Sequence, residues 1–218
     1  MADLPVAEIL QRSRTAGEQV SSFTMSFDFA AMPGAANPSR LSGRLSWDKG
    51  GHCVGHVALA GNGSAELIVS GGTTWLKPDA RFARAQFGPV AAAALSGKYL
   101  KGPTGDPHFA ALSSEFDPGT DLCQTGVYLQ TIPDAVDEQA VKLGAATVGG
   151  VRTVELQTNG KASAGDVYIA TEGTPYLVRS ATPDSGALNL TFTDYGRPVA
   201  FVTPPQAQTV EVSELPAR

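Results

Sequence analysis

The stretch from Ser22 to Ala30, Ser-Phe-Thr-Met-Ser-Phe-Asp-Phe-Ala, constrains this chain more than any other. Phe23, Met25, Phe27 and Phe29 fall at odd positions, with Ser22, Thr24, Ser26 and Asp28 between them. Side chains on a strand alternate between its faces, so the pattern predicts a β-strand with one aromatic, apolar face and one face in water. That face carries three of the chain's nine Phe residues and needs a broad apolar partner. A packed core and a cavity for an apolar ligand both meet the need.

The same pattern recurs on either side of a different middle. Leu41, Leu45 and Trp47 alternate with Ser42, Arg44 and Ser46, and Asp48-Lys49-Gly50-Gly51 is a hairpin turn. A third strand is predicted from His52 to Ala60, with Val54, Val57 and Leu59 as its apolar members. After Gly61-Asn62-Gly63, Glu66 to Val69 and Thr73 to Lys77 form a hairpin around Gly71-Gly72. Strands joined by turns this short make an antiparallel meander, because parallel neighbours need long crossovers.

Ahead of the meander, residues 4 to 20 have helical spacing through Leu4, Val6, Ile9, Leu10, Ala16 and Val20. Asp3 is the expected N-cap, Pro5 suits the first turn, and Gly17 weakens or ends the helix. Met32 to Pro38 is a turn cluster. From Pro78 to about Ile132 the alternation fails, and short helices are predicted over Arg81–Phe87, Val90–Leu95, His108–Ser114 and Gly119–Gln130. Pro103, Pro107, Pro118 and Pro133 punctuate this insertion, which is expected to cover one sheet face. Strands return at Val141–Val148, Arg152–Thr158, Val167–Thr171, Leu177–Thr182, Leu188–Thr193 and Val210–Val212, with turns at Gly149-Gly150 and Asn159-Gly160. Pro204-Pro205 breaks the chain before the last, an edge strand.

Composition agrees with this reading. Only 17% of the 218 residues are charged, and 24 Gly with 15 Pro suit many short strands and turns. One mostly β, α+β domain spanning 1–218 is the expected organisation. The net charge of -5 and the lack of any basic run argue against nucleic acid or an anionic membrane surface. The longest apolar run, Val90 to Leu95, falls far short of the ~20 residues a spanning helix needs. Met1-Ala2-Asp3 has neither the basic start nor the apolar run of an export signal. The chain therefore reads as cytoplasmic, or as the mature portion of an exported protein, and composition favours the second. In an exported protein Cys53 and Cys123 pair; in a cytosolic one they are two buried thiols.

Catalytic and metal signatures fail one by one. His52 and His56 have the spacing of a helical zinc pair, but on a strand that places them about 13 Å apart. His108 is isolated. Gly61-Asn62-Gly63-Ser64-Ala65-Glu66 has Glu where a dinucleotide loop needs its third Gly, and it joins two strands. Ser46-Trp47-Asp48-Lys49 matches S-x-x-K without the companion triplets, and no G-x-S-x-G elbow exists. Asp117, Asp121, Asp134, Asp137 and Glu138 lie near helix starts and turns, where capping and solubility account for them. No cofactor and no enzymatic reaction are expected; a cryptic hydrolase ranks last.

The aromatic residues are more informative. Phe23, Phe27, Phe29, Trp47 and Trp75 lie on strands, and Phe82, Phe87 and Phe109 in the insertion, with Tyr99 after its first helices. Sheet and helices either pack solidly or leave a gap lined by these rings, as apolar ligand sites do. The small side chains of Ala91 to Ala94 leave room where Leu or Phe would fill it.

Several segments resemble the LolA/LppX-like (LprG-type) bacterial lipoprotein superfamily, particularly its actinobacterial members. They are Gly51-His52-Cys53-Val54-Gly55, Thr74-Trp75-Leu76-Lys77 and Gly97-Lys98-Tyr99-Leu100-Lys101. Further on come Val148-Gly149-Gly150-Val151-Arg152-Thr153, Pro175-Tyr176-Leu177-Val178-Arg179 and Thr191-Phe192-Thr193-Asp194-Tyr195-Gly196-Arg197-Pro198-Val199. Their order covers nearly the whole chain. The resemblance implies a curved, half-open antiparallel β-barrel with helices over its concave side. It also implies export, a lipid anchor on an N-terminal cysteine that this sequence lacks, and binding or carriage of lipids or acylated molecules.

The expected function is thus an exported, non-enzymatic protein holding a lipid or other apolar ligand between sheet and helices. Strand parity assigns Phe23, Met25, Phe27, Phe29, Leu45, Trp47 and Trp75 to the sheet wall, and Phe82, Phe87, Leu95 and Phe109 to the lid. The alternative is an envelope interaction or sensor module with a filled core and a protein partner.

Overall fold

The computed structural model describes residues 1–29, 40–110, 123, 132, 140–158, 165–182 and 188–215. The Met32–Pro38 turns, the Asn159-Gly160 turn, the acidic residues between 117 and 138, and nearly all of the helix expected at Gly119–Gln130 lie outside the described residues.

Twelve strands among the described residues form one curved, unclosed sheet. In chain order they are β1 (Ser22–Phe29), β2 (Leu41–Asp48), β3 (Cys53–Leu59), β4 (Gly63–Ser70), β5 (Thr73–Pro78) and β6 (Tyr99–Pro103). They continue with β7 (Val141–Val148), β8 (Val151–Thr158), β9 (Gly165–Ala170), β10 (Leu177–Ala181), β11 (Leu188–Thr193) and β12 (Thr209–Glu211). Their order across the sheet is β12-β6-β5-β4-β3-β2-β1-β11-β10-β9-β8-β7. Strands β1 to β5 are the expected antiparallel meander, and β7 to β11 a second one joined to it through the β1–β11 pair. Among the described strands only β12 pairs in parallel, with β6, and its long connection is what makes that possible.

The register explains why each face has its character. One row runs Phe192, Met25, Leu45, Gly55, Leu67, Leu76, Leu100, Val210 across eight strands. Every member but Gly55, which brings no side chain, is buried. A neighbouring row of the other parity runs Glu155, Tyr168, Arg179, Thr191, Ser26, Arg44, His56, Glu66, Lys77. Period-two alternation therefore sorts the sheet into an apolar inner face and a polar outer one. Gly43 stands opposite Phe27, and a Cβ there would lie 2.6 Å from the ring and 2.4 Å from the His56 carbonyl oxygen. Only glycine lets the ring lie across β2.

Three helices are found among the described residues: α1 (Val6–Gln19), α2 (Ala80–Ala94) and α3 (Pro107–Ala110). In α1, Ile9, Leu10, Ser13, Ala16 and Gly17 are buried. Its first turn hangs on Pro5, whose carbonyl accepts from the amides of Glu8 and Ile9, so Asp3 is not the N-cap. Gly17 is accommodated inside the helix, which runs on to Gln19. The two helices expected at 81–87 and 90–95 are one element broken at Gly88 (φ 84°, ψ 171°), just ahead of Pro89. The insertion is not wholly helical as expected, because Tyr99–Pro103 pairs with β5. Its alternation is short: only Leu100 is a large inward side chain, followed by Gly102 and Pro103.

Candidate functional site

Helix α2 is held over the inner face by its first residues. The Asp79 carboxylate accepts hydrogen bonds from the Phe82 amide (2.7 Å), the Ser64 amide (2.7 Å) and the Ser64 hydroxyl (2.9 Å), fastening the helix start to the β3–β4 turn. Burial pushes this carboxyl upward, but the hydrogen bonds outweigh it and hold the group below the usual carboxylate range. Gly63 is required at that junction: its φ is 92°, and a Cβ would stand 2.3 Å from an Asp79 oxygen and 2.5 Å from the Phe82 nitrogen. From this anchor Phe82, Ala83, Phe87 and Ala91 are buried, at near-helical spacing, followed by Leu95 just past the helix.

These residues join the strand side chains in one apolar cluster. It contains Phe23, Met25, Phe27, Leu45, Trp47, Phe82, Phe87, Leu95 and Phe109, with Phe29 packed against it. Phe23 lies 5.4 Å from Trp47 and 5.7 Å from Phe192, ring centre to ring centre, and Phe27 lies 5.4 Å from Phe29. Phe109 of α3 closes over Gly102, where a Cβ would come within 3.2 Å of its ring. Cys53 belongs to the same cluster, one strand from Trp47, and forms a disulfide with Cys123 (Cα–Cα 5.6 Å). Helix α1 adds Ile9 and Leu10, with Val20 just past its end, and the hydroxyl of Ser13 is fully buried without a hydrogen-bond partner among the described residues.

Trp75 is the exception. It pairs with Ile68 and Lys101, whereas the inward positions of β5 are Thr74 and Leu76. The sequence contained the reason. Gly71-Gly72 is a two-residue turn, which pairs Ser70 with Thr73, so the inward odd positions of β4 face inward even positions on β5. Trp75 thus lies on the outer face, buried there beside Ile68 and outside the inner cluster.

Parity also extends the inner wall to residues that the Phe-rich strand had overshadowed. Phe192 and Leu190 on β11 stand directly opposite Met25 and Phe27. The Leu188, Leu190, Phe192 alternation was the signal. Beyond them Val154, Leu156, Val167, Ile169 and Leu177 continue the apolar lining toward β7.

His52 is occupied by Asp48, its Nδ1 lying 2.9 Å from the carboxylate and its ring 4.9 Å from Phe201. His108 is similarly placed on Asp106, 2.7 Å away. Among the described residues no three His, Cys, Asp or Glu side chains gather as metal ligands. No helix among them is long and apolar enough to cross a membrane.

No protein-family model matches the chain, and no curated protein does so either. Solved structures do. LprF from Mycobacterium bovis is 17% identical with a TM-score of 0.56, covering 91% of this chain and 96% of its own. The Mycobacterium tuberculosis lipoprotein LppX is 15% identical with a TM-score of 0.55, covering 89% of this chain and 97% of its own. Likeness over almost the full length of both gives this chain the LolA/LppX-like fold.

Proposed function

We propose that this chain is a single exported, non-enzymatic domain that takes up an apolar ligand, lipid acyl chains above all, between the inner sheet face and the α1–α2–α3 side. In this reading it holds the ligand within the cell envelope and passes it on, tethered by a lipid anchor. The observation that carries the reading is the breadth of the inner face. A row of large apolar side chains, broken only at Gly55, spans eight strands, wider than helix α2 that is fastened over it at Asp79. Likeness of fold to the lipoprotein LppX supports it. Each methylene buried on that face contributes about 0.8 kcal/mol, so a long acyl chain is held tightly without any polar contact. Phe29 borders the inner cluster, its ring 5.4 Å from that of Phe27, where such a chain would displace a ring-on-ring contact.

The test begins with native mass spectrometry of protein purified without detergent from a lipid-rich host, followed by solvent extraction. Adducts of a defined lipid mass are expected. Phe27→Asp, folded by circular dichroism, should lose uptake of an acyl probe, because a carboxylate placed on a wall only 3% exposed repels the chain. Retained uptake removes this wall from the proposal. A bare mass, with added acyl chains also refused, points instead to an envelope interaction module with a filled core. The near-complete burial of Met25, Leu45 and Phe82 favours that second reading.

A further inference from the structure

The outer face has a cleft of its own. Strand β11 lies beside β1 and β12 beside β6, so the chain from Asp194 to Gln208 has to cross the sheet between them. It does so as an irregular strap over the outer face. Its near end is fixed to β1: the Gly196 amide donates to the Ser22 carbonyl (2.9 Å), and the Ser22 hydroxyl donates to the Arg197 carbonyl (2.7 Å). Between strap and sheet lies a cleft of about 420 Å³, within the range of small-molecule sites. Thr24, Ser46 and Val54 line it from the sheet, and Pro198, Val199 and Ala200 from the strap.

Its charges are Arg44, Arg197 and Asp194. One carboxylate oxygen of Asp194 lies 2.9 Å from Arg44 Nη2, the other 3.0 Å from Arg197 Nη1. Two guanidiniums therefore share one carboxylate, which leaves one uncompensated positive charge in a chain of net charge -5. Each guanidinium has five N–H donors, and the contact with Asp194 uses one fork position of each. Asp194 itself has a φ of 54°, the one positive value at a non-glycine among the described residues. Such a conformation persists where its surroundings fix it, and here the anchored turn to Ser22 does so. The result is a pair of arginines aimed from opposite walls. Thr24 Oγ1 and Ser46 Oγ are 2.9 Å apart; that bond uses one hydroxyl hydrogen and leaves the other for an outside acceptor.

We propose that this cleft binds a small organic carboxylate: the head group on Arg44 and Arg197, the apolar body between Val54 and Pro198–Ala200. One spare positive charge matches a monoanion, and the planar guanidinium fork matches a carboxylate. The cleft lies over the outer-face residues Thr24, Arg44, Ser46 and Val54, and Phe23 is the one member of the inner cluster that also borders it, so head-group binding here is tested apart from acyl binding on the inner face.

Hexanoate titrated into ¹⁵N-labelled protein tests it. Saturable shifts are expected at the amides of Val54, Gly55, Val199 and Ala200. Arg44→Gln and Arg197→Gln should each weaken them at least ~10-fold, as loss of a charge-assisted pair does. Both side chains are largely exposed (52% and 77%), so the variants keep the fold. Hexanol, with the same body and no charge, should leave these amides unmoved. Absence of saturable shifts at the four amides, equal affinity in Arg44→Gln, or equal binding of hexanol overturns the proposal. Shifts confined to inner residues such as Leu67 and Leu156 also overturn it, while supporting the inner-face reading. Cleft shifts that persist in Phe27→Asp separate the two in the other direction.

Discussion

Removing the Cys53–Cys123 disulfide should destabilise the fold mainly through the unfolded chain. The bond joins residues 70 apart in sequence. Tying an unfolded chain into a loop of that length removes about 15 cal/mol/K of its entropy, worth about 4 kcal/mol at 25 °C in the chain-entropy treatment. Packing adds a smaller part. Cys53 is 1% exposed within the inner cluster, and cutting its sulfur back to a methyl opens a space worth roughly 1 kcal/mol. Cys123 is only half-buried, so Cys123→Ala alone isolates the loop effect. Equilibrium urea unfolding followed by Trp fluorescence is the assay. With a slope of about 2–3 kcal/mol/M, the midpoint of Cys123→Ala should fall by about 1.5–2 M, and the slope should rise because the open chain exposes more surface. The double variant Cys53→Ala/Cys123→Ala should lose little more. A loss under about 1 kcal/mol for Cys123→Ala, with the larger loss in Cys53→Ala, would refute the loop argument and assign the bond's value to packing.

Two electrostatic outcomes follow from single hydrogen-bonded groups. Asp79→Ala removes the N-cap of α2 and its tie to Ser64, and should cost about 1–2 kcal/mol at pH 7 in the same urea assay. The folded-state carboxyl lies below its unfolded value, so its contribution is present above about pH 4 and disappears as pH falls through the folded value; the gap between wild type and variant should narrow as the solution is acidified below about pH 4. Tyr168 should ionise well above the usual tyrosine range. Burial, then its hydrogen bond to Glu155 (2.8 Å), pushes its phenol up to about 12 from the usual 10.0. Its contribution is complete below about pH 10 and is lost as pH rises through the folded value, and Tyr168→Phe should remove a phase near pH 12 from the alkaline absorbance titration.

Much of the fold was legible because alternation is a strong signal where one face is dry. The Phe23–Phe29 face, the Leu41–Trp47 strand and the turns at Asp48–Gly51 and Gly149-Gly150 all stand where the sequence puts them. So do the break at Gly88-Pro89 and the final edge strand. Strand β6 was not legible: one inward leucine, Leu100, followed by Gly and Pro has no period to read, and it is paired only because Trp75 and Leu76 supply an edge. The cap of α1 was misread because Asp3 is the better capping residue by type, whereas Pro5 starts the helix by its fixed backbone angle. Of the residues assigned to sheet wall and lid, all but Trp75 pack in or against one cluster, which shows their contact with one another and leaves a ligand role as a proposal. The cleft under the strap had no sequence signal at all, since Arg44 and Arg197 are 153 positions apart and meet only through Asp194.

Trp75 shows what the alternation rule omits. Along β1 to β4 every turn pairs odd positions with odd, and the inward set never changes. The two-residue turn at Gly71-Gly72 reverses this, and it sends the largest side chain of β5 outward. An indole on the face that carries Ser46, Arg44 and Glu66 would sit in water unless something covered it. The row Thr24, Ser46, Val54, Ile68, Trp75 is the line along which the outer face turns apolar, and it points from β11 toward β12. The strap between those two strands has to travel in that direction. Ile68 and Trp75 are accordingly 9% and 7% exposed on the outer face. The parallel pairing of β12 with β6 and the outward turn of Trp75 are thus parts of one solution: a chain that crosses the convex side gains an apolar track to lie on, and the polar start of that track, at Thr24 and Ser46, is where it stands off the sheet and leaves the cleft.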